Sequence, residues 1–209
     1  MVYRSDSLNF PRSEAVSFEF AGDRNYVQGS DLYLCAAEHA QRLLPTPLDS
    51  AAAFAAFYRL TDRFATMVVH DGVAAPRLDG AFAIMRFWDG SRSFWFRFIE
   101  GELAVTGRYP YDENRIDGVV ENGKIRGSSE YPPIKTLVSL TKKLHQSTLP
   151  DAAGRWLFTR LELQRALPMK GAGPLEVQLV SNWNNRITKS TVSADGAPIG
   201  SIGFSLVPA

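Results

Sequence analysis

The chain has 209 residues, 45% hydrophobic and 22% charged, with 23 Lys and Arg against 22 Asp and Glu for a net charge of +1. That composition is globular rather than disordered, and so even a charge balance offers nucleic acid no electrostatic footprint. A lone cysteine, Cys35, and three scattered histidines without HExxH or HxH spacing argue against a disulfide framework and against a metal site.

The N-terminal stretch lacks the apolar core of a signal peptide, and no apolar run approaches the roughly 20 residues that a membrane helix needs. The expectation is a cytoplasmic protein without a membrane partner. Neither GxxxxGK[ST] nor GxGxxG occurs, so no nucleotide-dependent chemistry and no cofactor is expected.

In chain order, the first predicted element is a helix. Leu32, Cys35, Ala36, His39, Ala40 and Leu43 recur at three- and four-residue spacing, with Ser30 or Asp31 as its cap and Leu44-Pro45 at its end. The alanine-rich run 51–56 reads as a second short helix. Strand-like stretches follow over 57–69, 80–90, 91–101 and 102–110, with a hairpin signal at Asp89-Gly90.

The stretch 112–130 crosses to a second helix, striped by Leu137, Val138, Leu140, Thr141 and Leu144 and opened by Pro132 and Pro133. Four more strands are predicted over 155–163, 175–183, 186–196 and 197–208, with Asp195-Gly196 as a turn and 169–174 as a loop.

The two halves repeat an order. Each runs from an extended stretch through a Gly-Ser step (Gly29-Ser30, Gly127-Ser128) to an acid (Asp31, Glu130), a helix, and a Leu-Pro end (Leu44-Pro45, Leu149-Pro150). The reading is one compact α+β domain over 1–209, with internal repeats at about 15–110 and 115–208.

A strand, a buried helix and three or four antiparallel strands wrapping it resemble the hotdog fold, and two copies in one chain resemble a double hotdog. QGSDLYLCAAEHA is similar to the Gly-Gly, apolar, then acid pattern of hotdog thioesterase helices. Ser30 stands where the second Gly would be, and the acid Glu38 lies about one position from the family's place. The dehydratase signature, with His and Pro-Gly before the helix, is absent.

This resemblance implies a thioester carbonyl docked at the N-terminus of the buried helix, where free N–H groups and the dipole stabilise an oxyanion. It implies acyl-CoA or acyl-carrier protein as partner, an apolar tunnel for the acyl chain, and pantetheine along the interface between halves. A homodimer is a further arrangement open to the chain.

Candidate residues carry two readings each. Gly29 and Ser30, with Gly127 and Ser128 in the second half, are substrate-binding candidates or merely loop and cap. Asp31 is a cap or a catalytic acid. Glu38 is a desolvated general base or an exposed helix position, and His70 a turn residue or an acid/base aimed at the helix. His39 reads as a core histidine, His145 as a favourable charge at a helix C-terminus, and Cys35 as packing.

The aromatic strand residues Phe82, Phe87, Trp88, Phe94, Trp95 and Phe96 read as core or interface before a ligand tunnel. The amide-rich turn 182–185 binds a polar headgroup or only closes a hairpin. Three function classes follow: an acyl-thioester hydrolase or hydratase/dehydratase, a non-catalytic binder of an apolar small molecule, and an assembly protein.

Overall fold

The computed structural model describes residues 10–171 and 173–208. The first half comprises β1 (Arg12–Val16), β2 (Phe20–Ala21), α1 (Gly29–Leu43), β3 (Ala52–Phe57), β4 (Arg63–Asp71), β5 (Ala81–Trp88), β6 (Ser93–Ala104) and β7 (Arg108–Tyr109). The second comprises β8 (Asp117–Glu121), β9 (Lys124–Ser128), α2 (Pro133–Thr148), β10 (Arg155–Leu163), β11 (Leu175–Trp183), β12 (Ile187–Ala194) and β13 (Ala197–Val207). Eleven strands form one antiparallel sheet in the order β1-β4-β6-β5-β3-β10-β13-β12-β11-β9-β8. Both helices pack on its inner face, α1 against β5 and β6 and α2 against β8, β9 and β11.

The strands alternate as a half-covered sheet requires. On β6, Phe94, Phe96 and Phe98 are buried in the core, while Trp95 and Arg97 face outward. β3 is the exception that misleads sequence reading. The alanines at 51–56, expected as a helix, form a central strand between β5 and β10. Ala53 and Ala55 are wholly buried in the core. Likewise the break expected between 91–101 and 102–110 falls inside one strand, β6, and the end of the second stretch forms the short β7. Gly101 lies within it, where a Cβ would stand 2.9 Å from the Phe64 carbonyl oxygen at a bulge in the β4–β6 pairing.

The 112–130 crossing contains the β8–β9 hairpin, turned by Asn122 (φ 50°) and Gly123 (φ 74°). Gly127 therefore lies in β9, where a Cβ would strike the Asp117 carbonyl, whereas Gly29 is the first residue of α1. The Gly-Ser steps are thus not equivalent positions, and Gly127-Ser128 is strand, not helix entry. The Leu-Pro correspondence does hold: Leu44 and Leu149 both cap their helices, donating to the Ala40 and His145 carbonyls.

The halves also differ in one strand exchange. β11, β12 and β13 form a meander, but β4 and β5 both pair with β6 and so run parallel to each other. Residues 72–80 must then run back along the outer face, where Arg97 Nη1 donates to the Arg77 carbonyl at 2.8 Å.

His145, expected as a favourable charge at the helix C-terminus, is fully buried between Trp156 and Phe204, with ring centroids 4.5 and 5.3 Å away. Its Nε2 lies 3.0 Å from Thr188 Oγ1. Burial lowers its pKa to about 4, so it is neutral in the folded protein. Below pH 6.5 the unfolded chain takes up a proton that the folded chain refuses, so stability falls as pH drops from about 6.5 through 4. The full loss is about 3 kcal/mol. Melting temperature against pH should show this slope in the wild type and a flatter one in His145→Gln; equal slopes would show that His145 does not carry it.

Candidate functional site

The two helices meet at their N-termini through an ion pair between equivalent positions. Asp31 is the third residue of α1 and Lys135 the third of α2. Their side chains, 14% and 6% exposed, meet at 2.5 Å. A cation in the first turn of a helix opposes the dipole, and burial adds a desolvation cost that pushes the Lys135 pKa down, with Asp31 opposing the shift.

Tyr109 completes the arrangement. Its hydroxyl accepts from Lys135 Nζ and donates to Asp31 at 2.9 Å, and its ring lies 4.3 Å beneath the ammonium. Burial, then the Asp31 charge, drives the phenol pKa well above its ordinary value, so Tyr109 stays protonated and can donate. The Lys135 ammonium also lies 5.2 Å from the Tyr111 ring, whose hydroxyl bonds Ser139 (2.9 Å). Ser139 donates to Glu113 at 3.3 Å, which pairs with Arg24 at 2.6 Å and Lys142 at 3.1 Å.

Beside this network α1 begins without a side-chain cap. The N-cap position is Gln28, not Ser30 or Asp31 as expected, and it makes no capping bond. Its carbonyl accepts from the Asp31 and Leu32 N–H groups, and among the described residues the Gly29 and Ser30 N–H groups meet no acceptor. They belong to the four donors that helix geometry leaves free. The Gln28 side chain, oriented to satisfy its neighbours, accepts from Arg24 Nε at 2.7 Å and donates to Ser30 Oγ at 3.2 Å.

Gly29 is required by its contacts. A Cβ there would stand 2.9 Å from the Phe57 ring and 3.1 Å from Phe158. These rings pack at 4.6 Å on β3 and β10, the two strands that join the halves. Gly29 and Ser30 line a cavity of about 40 Å³ with Gln28, Leu60, Val138 and Trp156. Tyr26, Lys142 and Trp156 are shared with a larger open cleft of about 710 Å³. Three cations (Arg24, Lys142, Arg155) and three acids (Asp23, Asp112, Glu113) line that cleft. Arg155 lies over the Tyr26 ring at 5.7 Å and, among the described residues, makes no ion pair.

The other sequence candidates lie elsewhere. Glu38, expected to be desolvated as a base, is 66% exposed and 3.7 Å from Arg42. His70 stands opposite Trp95 on the outer face, away from α1, so it does not aim at the helix. Asp31 opens on the other side of α1 from Ser30, beside Glu19 and Phe64, and is held by Lys135. His39 is not a core residue but bridges the Cys35 carbonyl (2.9 Å) and Glu14 on β1 (3.1 Å). Burial and nearby acids push the Cys35 thiol up to about 12, which leaves it inert. The turn 182–185 closes a hairpin through Asn182 and Asn185.

Sequence reasoning missed Lys135, Tyr109 and Gln28. Only the first carried a signal, a basic residue in the first turn of a helix with no acid in that turn. Among the described residues no cluster of metal ligands is present, and no helix is long and apolar enough to cross a membrane.

The helices cradled by antiparallel strands define a hotdog-type fold, and comparison with solved structures bears this out along the chain. A dehydratase domain of a mycocerosic acid synthase-like PKS is similar over 92% of this chain and 88% of its own, with TM-score 0.54 and 11% identity. The dehydratase domain of PpsC from Mycobacterium tuberculosis, solved with C12:1-CoA, matches over 93% and 94% with TM-score 0.53 and 8% identity. A putative thioesterase II from Thermobifida fusca YX matches over 93% and 92% with TM-score 0.50 and 11% identity. No protein-family model and no curated protein matches the sequence. At such identities the likeness is one of fold.

The Asp31–Lys135 contact yields a stability prediction. Asp31→Ala leaves a buried ammonium unpaired and should cost about 3–5 kcal/mol in chemical denaturation. Adding Lys135→Met should restore more than half of that loss; a double variant no better than Asp31→Ala would refute the coupling.

Proposed function

We propose that the protein is a double hotdog acting on acyl thioesters, acyl-CoA or acyl-carrier protein, as a hydrolase or hydratase/dehydratase. The observation that carries this reading is the uncapped head of α1, where Gly29 and Ser30, their N–H groups free among the described residues, line a cavity that shares Tyr26, Lys142 and Trp156 with the open cleft. A thioester carbonyl placed there meets two free donors and the positive end of a helix dipole, the elements of an oxyanion site.

The balanced charge of the cleft suits an uncharged, amide-rich arm such as pantetheine, and Arg155 at its wall suits one phosphate. The cavity beside Gly29 has room for about one water molecule or a small acyl carbonyl. A longer chain requires the Phe57 and Phe158 rings to part.

A second reading, a non-catalytic binder, is favoured by one observation. Among the described residues no carboxylate or imidazole lines the Gly29 cavity, and Lys142 is its one cation. Tyr26, Gln28 and Ser30 are the uncharged polar side chains there that can orient water, and none is a strong base.

The experiment is calorimetric binding and thiol-release turnover over an acyl-CoA panel from two carbons upward. Short-chain binding with turnover supports the enzyme, and binding without turnover the binder. No binding of any thioester sinks both. Gly29→Ala, whose Cβ collides with the Phe57 and Phe158 rings and so displaces the helix head, should weaken binding by roughly tenfold, about 1.4 kcal/mol. Glu38→Gln and His70→Gln should leave any turnover within about twofold of wild type, because neither side chain reaches the cavity. A large loss in either variant would move the chemistry out of the cleft.

A further inference from the structure

The outer face of the sheet carries a second feature that the thioester reading does not use. Direct cross-strand pairing sets one row across six strands: Ser201, Glu162, Phe54, Arg86, Trp95 and His70. The 72–80 crossover is tied down on Arg97, two residues along β6 from Trp95. The middle of the row stays open as a groove of about 660 Å³. Ala52, Gly200 and Ser201 keep one side shallow, while Phe54, Trp88 and Trp95 supply aromatic wall.

The groove holds an unpaired cation. Arg86 lies 4.6 Å from the Trp88 ring and 5.3 Å from the Trp95 ring. Its Nε donates to Ser93 at 2.8 Å, and among the described residues neither terminal nitrogen has an acceptor. The nearest acid in the row, Glu162, is already held by Arg160 at 2.6 Å. Trp95 is 92% buried, and its indole N–H has no acceptor either. A guanidinium that is positioned by a hydroxyl and two rings, with its fork left empty, is matched to a planar carboxylate. The aromatic wall around it is matched to an apolar body.

We infer that this outer-face groove binds a small apolar monocarboxylate, its carboxylate on Arg86 and its hydrocarbon body across Phe54, Trp88 and Trp95. The site is separate from the α1 cleft: the two lie on opposite faces of the sheet and share no lining residue. Its occupancy does not depend on whether thioesters are substrates.

The test is titration of the full chain with octanoate and phenylacetate and with the matched alcohols, octanol and phenethyl alcohol, followed by tryptophan emission and calorimetry. The acids should bind at least roughly tenfold more tightly than the alcohols, the discrimination of one charge-assisted pair. Arg86→Gln should erase that difference while Phe54 and the tryptophans still admit both. Ser201→Trp fills the shallow side without touching Arg86 and should abolish binding of acid and alcohol alike. It remains decisive if Arg86→Gln fails to fold. Equal affinity for acids and alcohols would overturn the assignment, as would no binding at millimolar concentration or unchanged binding in Ser201→Trp. A wild-type dimer that Ser201→Trp dissociates would give the face to a second copy of the chain and overturn it equally.

Discussion

Everything at the junction of the two halves depends on a lysine placed where a helix does not want one. Lys135 enters at the positive end of α2 and inside the protein, and both facts oppose its charge. Asp31, at the favourable end of α1, answers it, and Tyr109 bridges the two with its hydroxyl and lies under the ammonium with its ring. Because both residues sit third in their helices, the pair fixes how one helix head stands against the other. Replacement by two apolar residues would be tolerable for stability. The ionic version sets register, since a slip of either helix strands a buried charge.

That fixed junction explains why the neighbouring helix head is free. Asp31, the obvious residue to cap α1 or take up its dipole, is committed to Lys135, and Gln28 turns toward Arg24 and Ser30. Two N–H donors are left bordering a small cavity, with Phe57 and Phe158 pressed against the Cα of Gly29. A polar helix end left unsatisfied beside an open cleft is costly unless something other than the protein satisfies it. Water suffices in the resting state, and a carbonyl oxygen takes the same place in the proposed complex.

Much of the architecture was legible because burial imposes periodicity. The strands at 155–163 and 175–183 fall where alternation places them, and both helices follow their apolar stripes. The failures share one cause, which is context that a local pattern does not carry. Alanine favours helices in isolation, yet here it fills β3, a central strand whose inward Ala53 and Ala55 are wholly buried. The Gly-Ser match paired a helix head with a strand, since glycine serves a helix entry and a close strand approach equally well. Glu38 lies within about one position of a family acid, but spacing alone does not tell a buried helix face from a wet one. The Asp31–Lys135 contact, 104 positions apart, had no local signature.

The claim that most needs testing is that the α1 head polarises a thioester carbonyl. Isotope-edited difference infrared spectroscopy of a short acyl-CoA carrying a ¹³C carbonyl reads this directly. The account predicts a carbonyl stretch shifted to lower frequency on binding than in water, with the shift diminished in Gly29→Ala. A bound thioester whose carbonyl frequency matches that in water would contradict it.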